Sequence, residues 1–285
     1  MAGNRELKRR IRSAGSISKI TRAMEAVSGS KMLRAQERSH KGEQYQQLLV
    51  SMIEHIKQNS TSFATHPLLS APNPDAPALT IAISSDRGLA GAFNTNLFRL
   101  LEENLSSHTL IITIGKKISH YARKTNWEMI ATIDSLSDYP EYSDIRPASD
   151  VAIEEYLGGR ASSISVAYQK HVNTIQSIPT IQQILPIPES EVVASAAETK
   201  KSTVFEPSAE VLLEELLSYS VAVSLYQVVL SSKAAEQSAR MVAMKNASKN
   251  AKGLSKGLQR VYNREYQKRV TSEISDVITA KMALQ

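Results

Sequence analysis

The first part of the chain is a long stretch without proline, rich in helix-forming residues. Within it Ile17, Ile20, Met24 and Val27 recur at spacings of three, four and three. Residues at these spacings share one face of an α-helix. At 1.5 Å per residue such a helix is about 80 Å long. The pattern predicts an amphipathic helix over residues 1–60, with these four side chains on its apolar face.

The middle of the chain alternates between short apolar runs and helical periodicity. Four prolines between Pro67 and Pro77 end the first helix and indicate a linker at 61–78. Strands are expected at 79–84, 109–115, 128–133, 163–172 and 180–187, and helices at about 94–106, 116–125 and 147–158. Strands that alternate with helices predict a mainly parallel sheet. Residues 79–187 should therefore form a Rossmann-like α/β domain.

The last part of the chain is helical again. After a second linker at 188–206, the segment 207–285 contains no proline beyond its first residue. A run with the 4-3-4-3 spacing of a coiled-coil seam consists of Ala247, Ala251, Leu254, Leu258 and Val261. The predicted fold class is therefore α/β with long helices. An antiparallel two-helix coiled coil is formed by the N- and C-terminal helices, in addition to the central α/β domain.

The charge distribution suggests that the two ends of the chain lie together. Residues 1–41 carry a net charge of +8 and residues 233–285 carry +7, so the remainder carries −9 of the total +6. Two basic ends favour an acidic partner. There is no apolar N-terminal signal, and no run approaches the roughly 20 apolar residues that span a bilayer. We expect a soluble chain that reaches a membrane only through a partner.

Motifs of catalysis are absent from the sequence. The chain has no cysteine, and its six histidines share no metal-ligand spacing. The stretch SSDRGLAGAFN (84–94) follows a strand, but it is neither G-x-G-x-x-G nor a P-loop. It is typical of a structural turn in which Gly88 and Gly91 adopt backbone angles that other residues avoid. We expect no catalytic, cofactor or metal site. Two alternatives are a basic coiled coil that binds nucleic acid and a small nucleotide-binding enzyme.

Three motifs carry a resemblance to a known family. They are ITRAMEAVSGSKMLRAQER (20–38), SDRGLAGAFN (85–94) and AEQSARMVAMKNASKNA (235–251), the last continuing through VYNREYQKRVTSEI (261–274). In this order they resemble the gamma subunit of F-type rotary ATP synthases. The resemblance implies a non-catalytic rotor that couples transmembrane ion flow to ATP synthesis or hydrolysis. Its implied partners are three alpha and three beta subunits, epsilon and the c-ring, with no nucleic acid and no direct bilayer insertion.

The resemblance also implies a location and binding residues. The location is the cytoplasmic face of the plasma membrane, as a peripheral subunit. Contacts with the alpha/beta ring are implied for Met24, Lys31, Arg240, Gln267, Thr271 and Glu273, and contacts on the epsilon and c-ring side for Phe205 and Glu206. The sequence departs from the family pattern at Ala90, where a cysteine is usual, at Tyr266, where an arginine is usual, and at Lys281 in the C-terminal tail.

Overall fold

The computed structural model describes residues 2–57, 66–70, 73–106, 108–125, 127–187, 206 and 208–283. The helices are α1 (Ala2–Lys57), α2 (Phe93–Asn104), α3 (Lys116–Ala122), α4 (Tyr142–Leu157) and α5 (Ala209–Ala283). The strands are β1 (Leu79–Ile83), β2 (Leu110–Ile114), β3 (Glu128–Ile133), β4 (Ile164–His171) and β5 (Ser177–Leu185). The chain divides into two compact units, one of residues 1–28 with 241–285 and one of residues 29–240.

The larger unit contains a five-stranded sheet of order β3-β2-β1-β4-β5. Strands β1 to β4 are parallel, as expected, and β5 pairs antiparallel with β4. Strands β1 and β2 are buried along their whole length. Parallel strands covered on both faces need such continuous apolar runs, and β-branched isoleucine and threonine favour the extended backbone. The order and direction of the strands confirm the predicted Rossmann-like class.

Helices cover both faces of this sheet. On one face α2 and α3 pack through Leu97, Leu101 and Ile118. On the other face α4 packs together with the part of α1 that contains Ile53 and the part of α5 that contains Leu217. The long helices are therefore built into the main core of the larger unit.

Within the larger unit α1 and α5 run antiparallel. The amide of Gln227 donates a hydrogen bond to the backbone oxygen of Ser39 at 2.8 Å, and that of Gln46 donates to the hydroxyl of Ser224 at 3.2 Å. As the residue number rises on one helix, it falls on the other. The predicted antiparallel pairing is confirmed here.

The smaller unit is a two-helix coiled coil whose seam differs from the predicted one. On α1 the least exposed positions are spaced four and three apart, and they are Leu7, Ile11, Ala14, Ser18, Thr21, Glu25 and Ser28. On α5 they are Met244, Ser248, Ala251, Ser255, Leu258 and Tyr262. The hydroxyls of Ser18 and Ser248 each donate to the other residue's backbone oxygen, at 3.3 and 3.2 Å.

The predicted apolar faces are therefore wrong in part. Ile17, Ile20 and Val27 are 51%, 59% and 54% exposed, and on α5 Leu254 and Val261 also face solvent. The reason is that small residues occupy the middle of the seam, where Ser18 and Ser248 bond to each other's backbone, and let the helices approach closely there. Because Thr21 donates its hydroxyl to the backbone oxygen of Ile17, it is satisfied without a partner on the other helix.

Two further expectations need correction. The helix expected from residue 147 begins at Tyr142, because Glu141 and Asp144 form a capping box that starts it earlier. Helix α5 also contains a stretch that is apolar enough by length and composition to cross a membrane. Of that stretch 44% is buried inside the protein, and helices in protein cores have the same length and composition. The expected linker at 188–206 lies outside the described residues except for residue 206. Most of the linker expected at 61–78 is described, and it contains a short 3-10 turn, Pro67–Leu69, whose Leu68 is buried in the core of the larger unit.

Candidate functional site

The smaller unit exposes a row of large apolar side chains. Ile17, Ile20 and Val27 follow one another along the outer face of α1, and Met24 beside them is half-buried. Exposed cations, Lys19 and Arg22, lie between them in sequence. Contiguous apolar surface rimmed by polar groups marks a protein interaction surface. We call Ile17, Ile20, Met24 and Val27 the α1 row.

The end of α5 exposes a second set of residues in the same unit. From residue 263 to 282 every side chain is exposed except Val270, which is half-buried. Gln267, Thr271 and Glu273 lie on this segment. The hydroxyl of Thr271 donates to the backbone oxygen of Gln267 at 3.0 Å, and Glu273 pairs with Arg269 at 3.5 Å. The side chains of Gln267 and Glu273 are both exposed to solvent.

Apolar residues near the C-terminus accompany these polar ones. Ile274, Val277 and Met282 are 55%, 69% and 72% exposed, and Lys281 lies among them. Tyr266, which stands where the family pattern has an arginine, stacks on Tyr262 with ring centroids 6.4 Å apart. The guanidinium of Arg269 lies 5.2 Å from the Tyr266 ring centroid. A cation is therefore held beside the position of the missing arginine.

The smaller unit is strongly basic. Residues 1–28 and 241–285 contain sixteen Lys and Arg against five Asp and Glu, a net charge of +11. The rest of the chain then carries −5. A high concentration of positive charge raises the rate at which negatively charged partners associate with the protein.

In the larger unit, charged side chains form a buried network around helix α5. Glu236 accepts from Arg240 at 2.7 Å and from Lys233 at 3.4 Å, and all three side chains are at most 10% exposed. Lys233 also lies 4.0 Å from Asp86. Buried charges are tolerated only when they are paired in this way.

Two more residues connect the α1 and α5 helices to the segment after β3. The ammonium of Lys31 lies 2.6 Å from one carboxylate oxygen of Asp138, and the amide of Gln237 donates to the other at 3.2 Å. Burial raises the pKa of Asp138, but the hydrogen bond and charge of Lys31, with Lys233 and Arg87, more than offset this effect. The net result is a pKa below the usual value for aspartate, so Asp138 is charged at neutral pH.

The SDRGLAGAFN loop is organised by Asp86 and Asn94. Asp86 accepts hydrogen bonds from the backbone N–H groups of Lys116 and Leu136, at 3.1 and 3.2 Å. The side-chain oxygen of Asn94 accepts from the N–H of Ser85 at 3.1 Å. The loop is a structural turn, as expected, but the expected role of Gly88 is wrong. Gly91 has a positive φ of 58°, and the second positive φ, 63°, belongs to Leu89.

The crevice of a doubly wound sheet, where ligands usually bind, is filled by the chain itself. It lies beyond the carboxyl ends of β1 and β4. There Ala90 and Phe93 pack against Ala235 of α5, and the backbone N–H of His171 donates to Ser231 at 3.3 Å. The packing leaves the nucleotide-enzyme alternative without support. Among the residues that the structure describes, no group of three or more His, Asp and Glu side chains could hold a metal.

The structure separates the predicted contact residues into two groups. Met24, Gln267, Thr271 and Glu273 belong to the smaller unit and are exposed or half-buried. Lys31 and Arg240 belong to the larger unit, where they pair with Asp138 and Glu236. Glu206 is exposed, and Phe205 lies outside the described residues.

Sequence reasoning missed the acidic members of the network, Asp86, Asp138 and Glu236. One signal was present. Lys233, Glu236 and Arg240 are spaced three and four apart within an otherwise apolar and small-residue stretch. On a helix this spacing brings opposite charges together on one face.

The comparisons with known proteins define the class first. The family model described as ATP synthase matches residues 3–284. The class is thus that of a subunit of the ATP synthase enzyme complex.

The particular family is identified by relatives whose sequences match this chain along nearly their whole length. The ATP synthase gamma chain of Xanthomonas axonopodis pv. citri (strain 306) is 36% identical over 290 residues, covering 100% of both chains. That of Roseiflexus sp. (strain RS-1) is 38% identical over 291 residues, covering 100% of this chain and 99% of the relative. The chain belongs to the ATP synthase gamma chain family.

Solved structures agree in fold. A chain in the cryo-EM structure of the Euglena gracilis mitochondrial ATP synthase (OSCP/F1/c-ring, rotational state 3) has a TM-score of 0.70 at 17% identity. The match covers 99% of this chain and 95% of that one. A chain of the Tetrahymena thermophila mitochondrial central stalk and c-ring has a TM-score of 0.58 at 23% identity, covering 80% and 99%.

Proposed function

We propose that this chain is the rotor of an F-type ATP synthase, itself non-catalytic, which couples transmembrane ion flow to ATP synthesis or hydrolysis. Its partners are three alpha and three beta subunits, epsilon and the c-ring. The observation that carries the proposal is that a chain matching gamma chains along all its residues exposes the α1 row on its basic two-helix unit. A coiled coil that only had to be stable would bury Ile17 and Ile20, since burying such side chains contributes about 1.5–3 kcal/mol each.

The small-residue seam supports a turning function. Because Ala14, Ser18 and Ser248 fill the space between the helices, the large apolar residues remain on the outer surface. A shaft that turns past three equivalent neighbours must bind each of them only moderately at any one angle. A narrow row of apolar side chains interspersed with lysines and arginines provides such contacts.

Under this proposal torque arises because the surrounding subunits, in their different conformations, bind different angles of the gamma shaft with different affinities. Each angle of the shaft favours a different set of conformations in the surrounding subunits, and those conformations differ in nucleotide affinity. Because thermodynamic coupling is reciprocal, nucleotide binding equally favours particular shaft angles. In this scheme the gamma chain supplies asymmetry and the neighbouring subunits supply the chemistry.

The binding residues fall into three regions under this proposal. Met24 and the exposed Gln267, Thr271 and Glu273 contact the alpha/beta ring directly. Lys31 and Arg240 lie in the larger unit, where their charges pair with Asp138 and Glu236, and their contact with the ring stays a prediction. The segment with Phe205 and Glu206 faces epsilon and the c-ring.

We also propose which segments of the chain form the helices, the linkers and the central domain. Residues 1–60 and 207–285 form the coiled-coil helices, 61–78 and 188–206 are linkers, and 79–187 form the central domain.

The complex that contains the chain is associated with a membrane. The chain itself lies at the cytoplasmic face of the plasma membrane as a peripheral subunit and does not enter the bilayer.

Reconstitution with cognate alpha and beta subunits tests the proposal. Native mass spectrometry should show one copy of this chain per three alpha and three beta subunits. ATP hydrolysis in the same preparation should rise when the chain is added, while the chain alone hydrolyses no ATP. Failure to associate at moderate salt, together with binding of the isolated chain to nucleic acid, would overturn the proposal.

A further inference from the structure

A cleft in the larger unit is lined by four tyrosines from three helices. They are Tyr45 of α1, Tyr142 of α4, and Tyr219 and Tyr226 of α5. The other lining residues are Arg38, Lys41, Gly42, Val223, Gln227 and Leu230. We call this set the tyrosine cleft. Its volume is about 330 Å³, within the range of small-molecule sites.

The rings form a connected arrangement. Tyr142 lies with its centroid 5.7 Å from that of Tyr219 and 6.2 Å from that of Tyr226. Tyr45 meets Tyr219 edge-on at 6.5 Å, and their hydroxyls are hydrogen-bonded at 3.0 Å. Aromatic pairs at these distances and angles are favourable. The walls of the cleft are therefore mainly aromatic.

The hydroxyls of Tyr142, Tyr219 and Tyr226 remain neutral at physiological pH. The hydrogen bond with Tyr45, followed by burial, raises the pKa of Tyr219 to about 12. Burial raises the pKa of Tyr142 and of Tyr226 above the usual tyrosine value. These three tyrosines therefore place no negative charge beside an anion in the cleft.

The charges on the lining favour an anion. Arg38 and Lys41 lie three residues apart on one face of α1, and no acidic residue lines the cleft. The guanidinium of Arg38 lies 5.2 Å from the ring centroid of Tyr139. The carboxylates of Glu141 and Asp144, near Tyr226, and of Asp150, near Tyr142, are not part of the lining.

Gly42 of α1 and Gln227 of α5 meet in the lining of the cleft. A Cβ atom at Gly42 would collide with the side-chain oxygen of Gln227, which would have to shift. Gln227 is held by its hydrogen bonds to the backbone oxygen and hydroxyl of Ser39. Tyr45 and Tyr219 remain 49% and 37% exposed, so their rings are partly accessible to a ligand.

We propose that the tyrosine cleft binds a small aromatic anion with the chemistry of a nucleoside phosphate. Its planar ring packs against the tyrosines, and its phosphate is bound by Arg38 and Lys41. Stacking on tyrosine is possible for any base, because every base has a π face. Charge-assisted hydrogen bonds from arginine and lysine to phosphate provide the second anchor. This site is separate from the α1 row and from the buried charge network.

Calorimetric titration of the full-length chain with ADP tests the proposal. We expect saturable binding of one ADP per chain at concentrations up to about 1 mM. Adenosine, which lacks the phosphates, and inorganic phosphate, which lacks the ring, should each bind at least about tenfold more weakly. Absence of saturable ADP binding would overturn the proposal, as would equal binding of ADP and either fragment.

Variants localise the site. The double substitution Arg38→Gln/Lys41→Gln and the single substitution Tyr45→Leu should each weaken ADP binding by about tenfold. The matched control is Lys19→Gln/Arg22→Gln, two exposed cations at the same spacing on the same helix. The control should leave the affinity within twofold. Equal losses in the control and the cleft variants would show that ADP responds only to the overall positive charge, which also overturns the proposal.

Discussion

The carboxylate of Asp138 lies 2.6 Å from the ammonium of Lys31, a residue 107 positions earlier in the chain. This ion pair joins helix α1 to the segment that follows β3. Gln237 of α5 binds the same carboxylate, so a single aspartate contacts both long helices.

We predict that Asp138→Asn destabilises the larger unit and removes one component of its pH dependence. Both partners are about one-third exposed, so the loss at pH 7 is about 1 kcal/mol. Because the pKa of Asp138 is lowered on folding, its contribution is complete above the unfolded-state pKa. It is lost as the pH falls through the folded-state pKa. Urea unfolding at pH 7 and at a series of lower pH values measures this, and the wild-type advantage should shrink once the pH falls below the usual pKa of aspartate. The exposed Asp276→Asn is the control, and an equal effect there would contradict the assignment.

Glu236→Gln should be far more damaging than the loss of an exposed carboxylate. The substitution leaves Lys233 and Arg240 without their shared counter-ion in a buried site. Breaking a buried pair in this way costs about 3–5 kcal/mol. Glu273→Gln, which removes the exposed partner of Arg269, should cost less than about 1 kcal/mol. Chemical denaturation of both variants measures the difference. Similar free energies of unfolding would show that burial does not increase the contribution of Glu236 to stability.

Two glycines in long helices should respond to alanine with opposite signs. At Gly42 the new methyl group meets Gln227, and overpacking of this kind costs about 1–3 kcal/mol. At Gly253 no atom lies within 4 Å of the new methyl group. Because alanine is the better helix former, Gly253→Ala should stabilise the chain by about 0.5–1 kcal/mol. Thermal melts followed by circular dichroism compare the two, and a stabilising Gly42→Ala would contradict the close approach of the helices.

We expect His171 to lower the free energy of unfolding in mildly acidic solution. Burial lowers its pKa, and its Nδ1 atom is buried without a hydrogen-bond partner. The unfolded chain therefore takes up a proton first, near pH 6.5, and stability falls as the pH drops below this value. His171→Gln should flatten the profile of unfolding free energy between about pH 7 and pH 5. The exposed His40→Gln serves as the control, and an unchanged slope in His171→Gln would exclude this histidine as the cause.

The α1 row should affect coupling without affecting folding. Since Ile17 and Ile20 are more than half exposed, the double substitution Ile17→Ser/Ile20→Ser should change the free energy of unfolding by less than about 0.5 kcal/mol. In the reconstituted complex we expect the same variant to reduce the stimulation of ATP hydrolysis severalfold. Unimpaired hydrolysis would show that the α1 row is not the interaction surface, even if the chain assembles.

The sequence predicts the sheet well because its strands carry a strong local signal. Strand β3 was expected at 128–133 and is found there, and β1 and β2 agree to within one residue at each end. Buried parallel strands such as β1 must be apolar throughout, so a short run of β-branched residues identifies them.

The surfaces of the long helices could not be predicted in the same way. Ile20 is apolar and periodic, yet it faces solvent, whereas Thr21 next to it is buried in the seam. Helix periodicity reveals which residues share a face, but not whether that face meets another helix of the same chain or a different protein. Similarly, the pairing of Lys31 with Asp138 depends on tertiary structure that no local pattern encodes.

The position of Asp86 has a mechanical consequence. Its two carboxylate oxygens bind the backbone after β2 at Lys116 and the backbone after β3 at Leu136, and the same group lies beside Lys233 of α5. Asp86 thus holds together the connections that follow β1, β2 and β3. A torque on α5 that reaches Lys233 is therefore transmitted to all three connections at once, and the sheet resists the torque as one rigid unit.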